Sequence, residues 1–83
     1  MDAQQWRAAV LDKLERGGPV CRRAAAHILA HDVRIGFAPQ HTGARWTLRG
    51  DIELKAPTYS LQTDPADPWV LGIVVHEAMH LQQ

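Results

Sequence analysis

Near its C-terminal end the chain reads Trp69-Val70-Leu71-Gly72-Ile73-Val74-Val75 and then His76-Glu77-Ala78-Met79-His80. Asp67-Pro68, just ahead, has the form of a helix start, with aspartate as N-cap and proline at the first helical position. The helix this predicts, 68–83, is apolar on nearly every side over its first half. A helix of that kind is normally buried in a core. The stretch therefore constrains the fold more than any other feature, because a chain of only 83 residues has little else with which to cover it. One small domain is expected, spanning 1–83, and a domain of this size buries only about 60% of the surface its unfolded chain exposes.

The elements upstream read as two helices and then strands. Over residues 2–16, Trp6, Val10 and Leu14 recur at i, i+4 and i+8, with Ala3 and Ala9 near the same side and Asp2 placed to cap the start. Gly17-Gly18-Pro19 ends that segment. Residues 20–31 are rich in helix formers, and the run Ala24-Ala25-Ala26 suits close approach to another element. From Asp32 the period changes to two. Val33, Ile35 and Phe37 alternate with polar or small residues, as do Trp46 and Leu48 over 45–49, and Ile52 and Leu54 over 51–55. Gly50 interrupts the alternation as a turn or bulge. The expectation is an α+β fold: two N-terminal helices, a small twisted sheet of about three strands, and a buried final helix.

Composition excludes several classes of function. Nine basic and nine acidic residues cancel, so the chain has no electrostatic footprint for nucleic acid and no polybasic patch for a membrane surface. The N-terminus lacks the unbroken apolar core of a signal peptide, and no stretch reaches the roughly 20 apolar residues of a membrane helix. Cys21 is the single cysteine, which suits a reducing compartment, and its expected role is that of a small buried hydrophobe. A cytoplasmic protein is expected.

His76, Glu77 and His80 form the pattern H-E-x-x-H. On a helix, residues four apart share a face with Cβ atoms about 5–6 Å apart, so both imidazoles can reach one tetrahedral zinc. Glu77 sits beside the first ligand and is expected to hold the metal's water. Zinc lowers the pKa of that water, and the carboxylate takes its proton and passes it to a leaving amine. The five residues thus encode ligand, base and ligand.

The motif helix and the order of elements resemble the zincin metallopeptidases, in particular their small gluzincin-like members. The likeness is loose over the whole chain and closer over 69–80. It implies zinc as cofactor, His76 and His80 as its ligands, Glu77 as catalytic general base, and a peptide or protein substrate. It also implies an edge strand along which extended substrate pairs, for which Asp51-Ile52-Glu53-Leu54-Lys55-Ala56-Pro57 is the candidate. An ordinary amphipathic strand is the alternative for that stretch.

The third zinc ligand has no obvious source. Gluzincins draw a glutamate from a following helix, and metzincins extend the motif with a glycine that would fall at Gln83 here. The donor is therefore absent, supplied in trans by a dimer or a missing C-terminal segment, or drawn from upstream. The upstream candidates are His27 and His31, which repeat the i, i+4 spacing, His41 in a loop, and the carboxylates Asp51, Glu53, Asp64 and Asp67. Asp64 and Asp67 are better suited to turn and cap. The expectation is an incomplete zincin domain that ends just after its motif helix. A zincin-like binding or structural module without turnover is the competing reading.

Overall fold

The computed structural model describes residues 1–81. Gln82 and Gln83, on which the end of the expected helix and the metzincin glycine position fall, lie outside the described residues. The order of elements is α1 (Ala3–Glu15), α2 (Pro19–Ala30), β1 (Ile35–Pro39), β2 (Ala44–Trp46), β3 (Ile52–Ala56) and α3 (Pro68–Leu81). This is a small α+β fold of three helices and a three-stranded mixed sheet. No helix among the described residues is long and apolar enough to cross a membrane.

The helices begin where their capping chemistry places them. Asp2 accepts from the Gln5 amide, and the Gln5 side chain accepts in return from the Asp2 amide, a reciprocal capping box. At the start of α3, the Asp67 carboxylate accepts from the Trp69 amide at 2.8 Å. Asp64 does the same for Ala66 in the turn before it, so both aspartates are turn and cap residues. α2 ends in a Schellman motif. Val33 donates to the Ile28 carbonyl and Asp32 to that of Leu29, with Asp32 in the left-handed region at φ 49°.

The core is assembled from one stripe of each helix and the inner face of the sheet. Trp6, Val10, Leu11 and Leu14 of α1 meet Ala24, Ala25 and Ile28 of α2, then Ile35, Ile52 and Leu54 of the sheet and Val70, Val74 and Ala78 of α3. The small side chains of Ala24 and Ala25 let α2 pack between α1 and α3. Trp6 is wholly buried. Its indole stands edge-on to Phe37, and its Nε1 donates to the Thr63 carbonyl at 2.8 Å. That single bond ties the long connection between β3 and α3 to the first helix. Cys21 is half-buried against the core rather than enclosed in it.

The sheet corrects the sequence reading in two respects. Its strand order is β1-β3-β2, with β1 parallel and β2 antiparallel to β3. The stretch Asp51–Pro57 therefore supplies the central strand and not an edge. Periodicity records which face a side chain takes and is silent on which strands are neighbours. Second, the strand expected over 45–49 is shorter. Thr47 to Gly50 form a tight turn, closed by the Gly50 amide on the Thr47 carbonyl, with Gly50 at φ 88°. Leu48, expected to continue the inward alternation of Trp46, sits fully exposed at the tip of that turn, and Trp46 itself is half exposed.

The final helix is also corrected. It is buried on one face only. Val70, Val74, Glu77 and Ala78 point inward, whereas Trp69 is 74% exposed and Gly72, His76 and His80 face solvent. The chain is too small to wrap the helix on all sides, so its polar motif residues and part of its apolar surface share the open face.

Candidate metal centre

His76 and His80 stand on the exposed face of α3, one turn apart. Their Nε2 atoms approach to 3.1 Å, with the ring centroids 4.6 Å apart and the planes nearly perpendicular. Without a metal, one imidazole donates to the other. Two nitrogens bound at about 2.0–2.1 Å to one tetrahedral zinc stand about 3.3–3.4 Å apart, close to the separation seen here, and sharing a cation requires the rings to turn from facing each other to facing a common point. Both nitrogens must be unprotonated to ligate, which makes metal binding stronger as pH rises.

Glu77 follows His76 by about 100° around the helix axis. This turns it toward the core side, where it is 8% exposed, the one buried charged residue of the described chain. It reaches solvent through a groove of about 520 Å³. The groove runs between Gly43-Ala44 at the start of β2 and Trp69, Gly72, Ile73, His76 and Glu77 of α3. The edge strand that flanks the motif helix is thus β2. Gly43 and Ala44 at the start of that three-residue strand, the His76 imidazole and the Glu77 side chain border one cleft, and His80 stands against His76 one turn further along α3.

The described residues bring no third donor to this pair, and no group of three or more histidine, cysteine or acidic side chains is arranged to hold a metal among them. Each upstream candidate is committed elsewhere. Glu53 is paired with Arg45 across the β2–β3 ladder at 2.9 Å. Asp51 accepts from the Arg34 amide and lies 3.6 Å from Arg49. Asp64 and Asp67 cap, as above. His41 is exposed and borders a separate depression with Gln40 and Arg45.

His27 and His31 lie against each other on α2, with ring centroids 4.5 Å apart. They border Leu81 on a surface that also carries Arg23 and Arg49, and two guanidinium groups oppose a second cation there. Burial, and then the neighbouring His31, hold His27 below the ordinary histidine value of 6.5. The sign of the consequence follows from linkage. Above 6.5 the folded and unfolded chains both keep this ring neutral. As pH falls through 6.5 the unfolded chain takes up the proton more readily, and stability drops until the lower folded value is passed. His27→Gln is therefore expected to lose less melting temperature than the wild type between about pH 7.5 and about pH 5.5. Thermal unfolding at the two pH values checks this, and equal losses would remove His27 from the account.

The motif spacing revealed His76, Glu77 and His80. It gave no signal for the groove residues Trp69, Gly72 and Ala44, because only the packing of β2 against α3 makes them neighbours of the site. Comparison with family models, with curated proteins and with solved structures finds no match to this chain.

Proposed function

We propose that the chain carries the motif helix and substrate cleft of a zincin-like zinc metallopeptidase. His76 and His80 are two of its zinc ligands, and Glu77 is its general base. The observation that carries this reading is the 3.1 Å approach of the two Nε2 atoms, with the Glu77 carboxylate opening into the same groove. Zinc, when bound, supplies Lewis acidity that brings a water into the titration range near pH 7 and polarises a carbonyl.

The remaining work falls to residues of the chain. Glu77 accepts the proton of the attacking water and returns it to the leaving amine, a role that suits a carboxylate on the wall of a half-closed cleft. The two imidazoles keep their orientation because α3 is anchored by Val70, Val74 and Ala78 on its opposite side. The unpaired edge of β2 offers backbone donors and acceptors to an extended peptide.

Catalytic zinc sites use three protein ligands, one more than the described residues provide. The proposal therefore includes a third donor from a second chain or from outside the described residues. The same shortfall favours a second reading, a zincin-like binding module that holds metal loosely and turns nothing over.

Elemental analysis of protein purified without added metal or chelator separates the two. The peptidase reading expects close to one zinc per chain in the assembly that supplies the third donor, falling to near zero in His80→Ala. It also expects peptide hydrolysis that a chelator stops and zinc restores. Zinc content that ignores His80→Ala would remove the site altogether. Stoichiometric zinc without hydrolysis of any peptide would favour the binding module.

A further inference from the structure

Gly72 is a glycine with no structural reason to be one. It lies in the interior of α3, where glycine is a poorer helix former than alanine. Its backbone is not in the left-handed region, since Gly50 is the one described glycine with positive φ. A Cβ built on it would meet nothing within 4 Å, so no neighbour forbids a side chain. Neither backbone geometry nor packing asks for glycine here. What the missing side chain does is leave a notch in the groove wall, between Trp69 and Ile73 and one helical turn before His76.

The chemistry of the notch follows from its walls. Trp69 stands 74% exposed on one side, an indole largely open to solvent. Ile73 is half-buried on the other side, and Ala44 of β2 faces them across the groove. The two ionisable groups of the groove, His76 and Glu77, follow Gly72 one turn further along α3. One turn of helix advances about 5–6 Å, close to the length of two residues of extended chain.

We infer that Gly72 is the specificity-determining residue of this cleft, and that the substrate is an extended peptide with a bulky apolar side chain about two positions from the bond that reacts. This rests on the peptidase reading for the identity of the reacting bond, whereas the size preference itself belongs to the groove. Trp69 then supplies an aromatic wall, and the space over Gly72 accepts the side chain.

The test is peptide binding by the full chain without metal, read by calorimetry and by the fluorescence of Trp69 against a Trp69→Leu control. The probes are blocked alanine hexapeptides with one central alanine kept, or replaced by leucine or phenylalanine. The wild type is expected to bind the phenylalanine peptide about tenfold or more tighter than the all-alanine peptide, the discrimination that an apolar subsite gives for added hydrocarbon. Gly72→Leu is expected to erase that preference while keeping the all-alanine affinity, with Gly72→Ala in between. Both variants should melt no lower than the wild type, which shows that the notch and not the fold was altered.

An unchanged preference in Gly72→Leu, an equal loss for every peptide, or no binding of any peptide overturns the inference. Because this binding test needs neither metal nor turnover, the two readings fail separately. A preference that moves with residue 72, together with a zinc-loaded assembly that hydrolyses nothing, sinks the peptidase and leaves the subsite. Hydrolysis by the zinc-loaded assembly with a binding preference indifferent to residue 72 does the reverse.

Discussion

On the peptidase reading, Glu77→Gln is expected to keep zinc in the assembled site and to lose hydrolysis by about 10²–10⁴-fold, the range that a positioned general base contributes. The amide has nearly the shape of the carboxylate and cannot accept the water's proton. Glu77 is not needed to hold the metal in this reading, because the two imidazoles meet at 3.1 Å without it. The residue is 8% exposed and borders the groove, where an amide of nearly the same volume is accommodated. The variant is therefore expected to melt close to the wild type, which separates a loss of activity from unfolding. Zinc per chain, melting temperature and turnover measured on one preparation decide the matter. Turnover within about twofold of wild type would take the general-base role from Glu77, and loss of zinc would make it a ligand instead.

The largest expected effect on stability lies far from the cleft. Trp6→Ala should cost about 3–5 kcal/mol, the usual range for truncating a buried large aromatic. A chain of 83 residues has on the order of 4–12 kcal/mol in total, so this one change removes between about a quarter and all of it. Two separate losses combine in it. The cavity left by the indole opens between α1 and the sheet, where Phe37 packs edge-on to the ring. The Thr63 carbonyl also loses the Nε1 donor that holds the connection before α3. Trp6→Phe separates them, since it restores most of the volume and none of the hydrogen bond. Its expected cost is that of one unmade bond, about 1–3 kcal/mol. Denaturant unfolding of the three proteins reads both quantities. A Trp6→Ala variant within about 1 kcal/mol of wild type would mean that this indole does not organise the core.

The helices were legible because their signals are local. Asp2 and Asp67-Pro68 mark two of the starts, and the spacing of Trp6, Val10 and Leu14 gives the buried face of α1 before any partner is known. The sheet was legible only in part. Alternation locates strands, but the pairing that puts β3 between β1 and β2 joins residues up to 17 apart in sequence, as in the register partners Ile35 and Ile52. Nothing in the apolar pattern ranks those pairings. Leu48 misled for a related reason. It continues the alternation of Trp46, and the turn at Thr47–Gly50, set by a glycine at positive φ, overrides it. The run Trp69–Val75 misled through size, since burial on every side requires more chain than the fold has to give. At the cleft, the i, i+4 spacing put His76 and His80 on one face of the helix, as they stand. The cleft was invisible, because it exists only where β2 lies beside α3.

The order β1-β3-β2 also bears on self-association. Every open sheet offers unpaired strands to its neighbours, and proteins that stay dispersed blunt them. One flank here ends in Pro39, which has no N–H to donate, and the other is three residues long with Arg45, held by Glu53, at its middle. Copies of this chain therefore find little ladder on which to stack into fibrils. The same shortness limits what any visiting strand gains from main-chain pairing alone. Whatever occupies the cleft must be selected mainly by its side chains, and the helix face from Trp69 to His76 is where that selection is made.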